Sequence, residues 1–294
     1  MIDLKKKKIG FSLEVFPPKM EEQNPLLVEK INNLDFKPDF ISVTYGAGGS
    51  TKNRTLDLVK RIHKDTDISV AAHLTCVDSS IDDTMRLVDE YIKLGITKIV
   101  ALRGDSPNSN TKKYKPHPKG FQKTSDLIRA IKENSTIELF VAGYPEKHPE
   151  SYNVHSDLIN LKEKVNNGAD FIITQYFFDN QIFFNFLESM KKYNISSKII
   201  PGIIPITNYQ KIKQFSENCG ASIPKNVSDL FENTSNKSSD KDKIIQNAIS
   251  HITEQSLDLI KNDIRNIHIY TLNQISLVND IWIEIQSKLG TKHE

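Results

Sequence analysis

Cysteine is almost absent from this chain: Cys76 and Cys219 are the only two in 294 residues. Two are too few for a disulfide framework, and they lack metal-ligand spacing. That usage fits a reducing compartment. Long apolar runs are missing too. No stretch approaches the roughly 20 apolar residues of a membrane span, and the opening Met1-Ile2-Asp3-Leu4-Lys5 has no apolar signal core. The expected location is the cytoplasm. Charge of one sign is also scarce. Lys and Arg number 39 against 37 Asp and Glu, a net charge of +2. A nucleic-acid surface needs a concentrated basic stripe, which is not present. The short run Lys5–Lys8 reads as a solvated lead-in to the first strand.

What is present is globular. The hydrophobic fraction is 38% and the charged fraction 26%, enough apolar material for a sizeable core. The length would permit two domains, but an α/β barrel fills this size as one. Eight strand candidates recur along the chain: Ile9–Val15, Phe40–Thr44, Ser69–Leu74, Lys98–Leu102, Glu138–Ala142, Phe171–Thr174, Lys198–Gly202 and His268–Thr271. Most are rich in Val, Ile and Phe. Such near-continuous apolar strands imply burial on both faces, as in a parallel sheet. Helical patterns lie between them, as in Leu87-Val88-x-x-Tyr91-Ile92 before the Gly95 stop. Alternation at about 30 residues per unit implies βαβ units. Eight units close into a (β/α)8 TIM-type barrel, a single domain over 1–294. A doubly wound open sheet is the competing architecture, but no strand is followed by Gly-x-Gly-x-x-Gly. One interval stands out: Asn226–Lys243 is rich in Ser, Asn, Asp and Lys and reads as a polar surface excursion. Helical patterns resume at Ile244 and run to about Ile264. Ile275–Leu289, which holds the single tryptophan Trp282, reads as the closing helix.

Chemistry in such a barrel sits where strands end. The residues there are Glu14, Thr44, His73, Arg103-Gly104-Asp105, Tyr144 with His148, Gln175, Pro201-Gly202 and Tyr270-Thr271-Leu272-Asn273. Each has a plain structural explanation. Glu14, between Leu13 and Val15, is costly to bury unless paired or neutral; it is either an ion-pair partner or an acid with a raised pKa. His73 reads equally as a satisfied core histidine. Arg103-Gly104-Asp105 alone reads as a turn, and Gly46–Gly49 as a flexible loop or as a place where backbone amides meet a ligand. Gln175 follows an apolar run and needs hydrogen-bond partners. Tyr176-Phe177-Phe178 suits a core better than a stacking platform. The set is more telling than its members: Glu, His, Arg, Asp and Gln all converge on one mouth. There is no metal spacing and no Ser–His–Asp arrangement. An acid–base site around an organic cofactor is the class these residues favour.

The stretches Phe11–Pro18, Ser42–Gly46, Ala72–Cys76, Ile99–Asp105, Tyr144-Pro145-Glu146-x-His148-Pro149, Ile173-Thr174-Gln175-x-Phe177-Phe178-Asp179, Pro201–Pro205 and Tyr270–Asn273 occur in family order and cover nearly the whole chain. In them the sequence resembles methylenetetrahydrofolate reductase of the short bacterial type. The resemblance implies a barrel that binds FAD without a Rossmann fold. It implies reduction of 5,10-methylenetetrahydrofolate to 5-methyltetrahydrofolate with NADH or NADPH by a ping-pong scheme, supplying methyl groups for methionine synthesis. It also implies a homo-oligomer. By the same resemblance Glu14 is the general acid that assists opening of the methylene-bridged ring. Asp105 is the carboxylate beside flavin and folate, whose charge disfavours an anionic reduced flavin. Gln175 binds the substrate ring, and Phe215 stacks on nicotinamide or folate. Thr44, His73, Arg103, Gly104, Asp105, Tyr144, His148, Asp157, Asn160 and Lys164 fall at FAD-contacting positions. Arg103, His148 and Lys164 help neutralise the diphosphate.

Two positions depart from the family. Gln274 stands where Arg commonly follows Tyr-Thr-Leu-Asn, and Lys211 stands where close bacterial relatives carry Gln. Both changes bear on contacts to folate or nicotinamide. Nothing resembling the C-terminal regulatory domain of the long eukaryotic forms is present, so control by S-adenosylmethionine is not expected. Two other classes fit the strand-end residues: a flavin-free barrel lyase or isomerase using Glu14 and Asp105 as an acid–base pair, and a non-catalytic flavin- or folate-binding protein.

Overall fold

The computed structural model describes residues 9–45, 49–77, 79–104, 116–232 and 240–290. Among these, the chain alternates strand and helix in the order β1 (Gly10–Val15), α1 (Asn24–Asn32), β2 (Phe40–Val43), α2 (Gly49–Asp65), β3 (Val70–Thr75), α3 (Ile81–Lys93), β4 (Lys98–Leu102), α4 (Thr124–Asn134), β5 (Glu138–Gly143), α5 (Val154–Asn166), β6 (Phe171–Thr174), α6 (Asn180–Lys192), β7 (Lys198–Ile200), β8 (Gly202–Ile203), α7 (Tyr209–Cys219), α8 (Lys225–Phe231), α9 (Lys241–Lys261), β9 (Asn266–Tyr270) and α10 (Ile275–Leu289). Every strand pairing is parallel, in the order β7-β6-β5-β4-β3-β2-β1-β9-β8.

The eight expected staves become nine segments because the seventh breaks at Pro201. Proline has no N–H to give to a ladder. Before the break, β7 pairs with β6 through Ile199 and Ile172. After it, β8 pairs with β9, with Gly202 opposite His268. The Pro201 carbonyl bridges the two by accepting from His268 N at 2.8 Å. One interrupted stave thus closes a TIM-type barrel.

Strand alternation divides the side chains into two sets. The outward set (Leu13, Val15, Ile41, Val43, Ala72, Leu74, Ile99, Leu139, Ile172, Ile269) meets the helices in one continuous core. Each large aliphatic buried this way contributes about 1.5–3 kcal/mol. The inward set is uneven. Phe40, Ala71, Val100, Phe140, Ile173 and Ile200 form an apolar plug. Ser12, Glu14, Ser42, His73, His268 and Tyr270 on β1, β2, β3 and β9 make the wall beside it polar.

Helix ends follow local chemistry. Ser80 caps α3 by accepting from Asp83 N. Asn153 and Ser156 form a reciprocal capping box at α5. Gly220 ends α7 at φ 79°, a conformation that suits glycine. The polar stretch 226–243 is not wholly a surface excursion. It opens within α8, where Val227 and Phe231 are buried, and ends within α9; residues 233–239 lie outside the described set. Tyr176, Phe177 and Phe178 are core residues, as expected of an aromatic cluster. Among the described residues, no helix is long and apolar enough to cross a membrane.

Candidate active site

Glu14 occupies the inward face of β1, opposite Ser42 of β2 and Tyr270 of β9. Its carboxylate Oε2 lies 3.4 Å from His73 Nε2 and 3.9 Å from His268 Nε2. Two histidines from different strands therefore bracket one carboxyl oxygen. Burial pushes the His73 pKa down; Glu14 opposes that shift and His268 adds to it. Burial likewise holds the Tyr270 phenol well above its ordinary range, with the Glu14 charge adding to the shift. Both groups are therefore neutral near pH 7, and Tyr270 Oη donates to the Thr174 carbonyl at 2.8 Å. No group of three His, Cys, Asp or Glu among the described residues has an arrangement that could hold a metal.

The backbone of Glu14 is pinned from β9. Thr271 donates to the Glu14 carbonyl through its N–H at 3.2 Å and its hydroxyl at 2.6 Å. Asn273 then bonds both backbone groups of Phe16. Leu272 and Asn273 reach this arrangement with φ of 48° and 59°, values that asparagine tolerates better than leucine.

A second feature opens beside this wall, between the ends of β4 and β5 and the starts of α4 and α5. A cavity of about 410 Å³ there is lined by Arg103, Tyr144, His148, Asp157, Asn160 and Lys164, among others. A neighbouring cavity of about 240 Å³ shares Arg103, Tyr144, His148 and Lys164 and adds Thr75, Gly104 and Tyr45. Thr75 sits two residues beyond His73 on β3, so the cleft adjoins the Glu14 wall. Seven residues singled out from sequence thus line one cleft. Thr44 and His73 are not among the residues lining these cavities. His73 faces Glu14 instead, and the Thr44 carbonyl accepts from Thr55 Oγ1. Asp105 lies outside the described residues.

Opposite charges line the cleft together: Arg103, Lys123 and Lys164 against Glu150, Asp157 and Glu163. Arg103 makes a two-pronged pair with Glu150, at 2.8 and 2.7 Å. The hydrogen bond from Arg103 is the main reason the Glu150 carboxyl stays below the usual range. Lys164 donates to the Ala142 carbonyl at 2.6 Å, and burial lowers its pKa to about 8 despite Asp157 nearby. His148 is held neutral chiefly by burial, with Arg103 adding to the effect; its ring packs edge-on against Tyr144 at 4.6 Å. Asp157 shapes the loop by accepting from His148 N and Ser151 Oγ. Lys147, at φ 90°, folds its ammonium back onto the carbonyls of His148, Pro149 and Ser151. The N-terminus of α4 opens on the same cleft without a side-chain cap, an end that favours an anion; the Glu163 carboxylate lies beside it, accepting from Lys123 Nζ and Ser125 Oγ at 3.0 Å each.

On the far side of the mouth, the Gln175 side-chain oxygen accepts from Tyr176 N at 3.0 Å. Its amide N–H groups have no protein acceptor among the described residues. Phe215 is 43% exposed on α7. The next residue, Ser216, meets Tyr176 Oη at 3.2 Å. Gln274 reaches across to Thr207 Oγ1 at 2.8 Å, and Lys211 lies in the first turn of α7, its N–H capped by Asn208.

Sequence reasoning missed three participants. Ser12 and His268 had a signal: alternation along Ser12-Leu13-Glu14 and along His268-Ile269-Tyr270 puts a polar residue at every inward position. Glu150 follows His148-Pro149 directly, but its pairing with Arg103, 47 positions away, has no local signature.

Comparison with known proteins bears on this geometry. A family model described as methylenetetrahydrofolate reductase matches residues 1–286. A relative from Buchnera aphidicola subsp. Schizaphis graminum named 5,10-methylenetetrahydrofolate reductase is 39% identical over 276 residues, 93% of this chain and 91% of its own length. One of the same name from Escherichia coli is 34% identical over 274 residues, 92% of this chain and 88% of its own. A solved structure of an uncharacterized protein from Clostridium thermocellum, described as binding two copies of 5-methyl-5,6,7,8-tetrahydrofolic acid, has a TM-score of 0.63 and covers 97% of both chains at 17% identity. At that identity the likeness shows the shared fold.

Proposed function

Because the chain belongs to the methylenetetrahydrofolate reductase family, we propose that it reduces 5,10-methylenetetrahydrofolate to 5-methyltetrahydrofolate, with bound FAD and with NADH or NADPH as reductant, in a ping-pong sequence. The observation that carries the reading is the adjacency of a partly buried carboxyl, Glu14, through His73 and Thr75 of β3, to a cleft that brings Arg103 and Lys164 beside a helix N-terminus.

The residues of the cleft fit FAD. A flavin dinucleotide carries a diphosphate that needs positive charge and donors. Arg103, Lys164, His148 and the open end of α4 supply them. Tyr144, Gly104, Asn160 and the loop held by Asp157 would line the rest. When bound, the flavin supplies hydride acceptance from the nicotinamide and hydride donation to the folate. Thr44 and His73 belong to this proposed contact set from the β2 and β3 side.

Glu14 handles the proton. Ring opening breaks the bond between the methylene carbon and one bridging nitrogen, and that nitrogen takes the Glu14 proton as the electron pair of the bond moves onto it. The carbon is left as an iminium, ready for hydride, and Glu14 is left ionised. Gln175, whose amide N–H groups have no acceptor among the described residues, would bind the pterin edge. Phe215, exposed beside the mouth, would cover it. Asp105 would place negative charge near the hydride-donating end.

The test is visual. Purified protein should be yellow, should bleach anaerobically with NADH or NADPH, and should regain colour on adding methylenetetrahydrofolate. A colourless protein unable to take up FAD would end this reading in favour of a flavin-free lyase or isomerase.

A further inference from the structure

The polar wall beneath Glu14 holds more than the proposed acid chemistry requires. Ser12 and His268 are fully enclosed, at 3% and 0% exposure. They face each other across β1 and β9 in direct register, and Ser12 Oγ lies 2.8 Å from His268 Nδ1. The imidazole is locked in place, stacked on Phe40 at 6.0 Å and 21° and edge-on to Tyr270 at 5.1 Å and 90°. Its other nitrogen, Nε2, is buried and has no hydrogen-bond partner among the described residues. It points at Glu14 Oε2, 3.9 Å away. A buried unpartnered nitrogen is costly, and two hydroxyls without a partner among the described residues, Ser42 Oγ and Thr75 Oγ1, share the wall.

We propose that His268 is a positioning residue for proton delivery by Glu14, presenting an Nε2–H to the carboxylate that remains once the proton has left. The inference rests on the reading of Glu14 as the general acid. An ionised Glu14 accepts from His268 Nε2–H more strongly than the neutral carboxyl does, because the acceptor then carries a full charge. The bond from His268 is therefore strongest after proton transfer, which stabilises the product side of the step selectively. In the tautomer this role needs, the Ser12 hydroxyl donates to Nδ1 and the ring proton sits on Nε2. The reverse tautomer would aim an Nε2 lone pair at an anionic oxygen. The titratable groups facing the Glu14 carboxyl are His73 from β3 and His268 and Tyr270 from β9; Ser42 of β2 lies alongside without charge.

The test uses the FAD-loaded enzyme and follows the two half-reactions separately in a stopped-flow instrument across pH. In His268→Leu, flavin reduction by nicotinamide stays within about twofold, while reoxidation by methylenetetrahydrofolate slows roughly tenfold or more, the value of one hydrogen bond to a charged group. The carboxylate product has lost a donor in this variant, so the alkaline limb of the folate half-reaction moves to higher pH. His268→Gln, which keeps an amide N–H near Nε2, restores most of the rate and returns the limb toward the wild-type position. Ser12→Ala moves the limb in the same direction as His268→Leu and carries the test if the leucine variant fails to fold. An unmoved pH limb, or equal slowing of both half-reactions, overturns the assignment while leaving the parent reading intact. A wild-type protein that takes up no flavin, or reduces no folate, overturns both.

Discussion

The side chain of Asn273 is bonded to both backbone groups of Phe16: its Oδ1 accepts from Phe16 N at 3.0 Å and its Nδ2 donates to Phe16 O at 2.8 Å. These residues are 257 positions apart. Together with the Thr271 bonds to the Glu14 carbonyl, the clamp fixes the exit of β1 and therefore the direction of the Glu14 side chain. Asn273→Ala removes both bonds and forces alanine to φ near 59°. The expected loss is about 2–3 kcal/mol of unfolding free energy. Asn273→Gly loses the bonds without the strain and should fall less, by about 1–2 kcal/mol. Urea titration of both variants separates the contributions; equal losses would remove strain from the account.

Glu14→Gln keeps the shape of the side chain and removes the transferable proton. Flavin reduction by nicotinamide should persist. The folate half-reaction should slow by about 10²–10⁴-fold, the typical contribution of a general acid. Rapid-mixing absorbance of the flavin reads each half-reaction, and equal loss in both would contradict the assigned role.

Lys164 makes binding in the cleft pH-dependent. Its folded pKa of about 8 lies below the ordinary lysine value of 10.5, so the folded protein gives up this proton before the unfolded chain does. Stability from this group therefore rises with pH between those two values and is level outside them. An anionic ligand in the cleft pushes the lysine back toward its charged form. Binding of FAD or ADP to the apoprotein at about pH 9 should then take up a proton. Calorimetry in two buffers of different ionisation enthalpy measures that uptake, and Lys164→Met should abolish it.

The Arg103–Glu150 pair is an electrostatic brake on the same cleft. Its side chains are 29% and 40% exposed, so solvent screening limits its worth for stability to about 0–1 kcal/mol. Its consequence for binding is larger, because Glu150 occupies both prongs of a guanidinium that a diphosphate would use. Glu150→Gln should leave the melting temperature nearly unchanged and tighten ADP binding by roughly twofold to tenfold at low salt. Weaker ADP binding in this variant would show that Glu150 orients Arg103 rather than competing for it.

Gly202 permits the closure of the barrel. A β-carbon there would collide with the Thr174 carbonyl and lie 2.6 Å from Tyr270 Cε2. Gly202→Ala should cost about 1–3 kcal/mol through overpacking. It should also disturb the Tyr270 bond to Thr174, which near-ultraviolet circular dichroism of the tyrosines would register.

Most of the architecture was legible in sequence because the signals are local. The apolar runs β4 and β6 and the closing helix Ile275–Leu289 have boundaries that agree with the structure. Alternation and strand–helix period need only neighbouring residues. Pro201 shows where local reading falls short. A run from Lys198 to Gly202 reads as one strand, but each side of the proline pairs with a different neighbour, and pairing is a property of the closed sheet.

The same division runs through the site. Sequence alone determined that Glu14, His73, Arg103, Tyr144, His148, Gln175 and Tyr270 lie at strand ends, because strand direction and length are encoded within each segment. Tertiary structure alone decided their partners. Closure of β1 against β9 brings Ser12 and His268 together from 256 positions apart, and the packing of α5 against β5 aims the Lys164 ammonium at Ala142. Those pairings depend on barrel register and on which groups are removed from water together. They therefore determine the charge state of each group as well as its position.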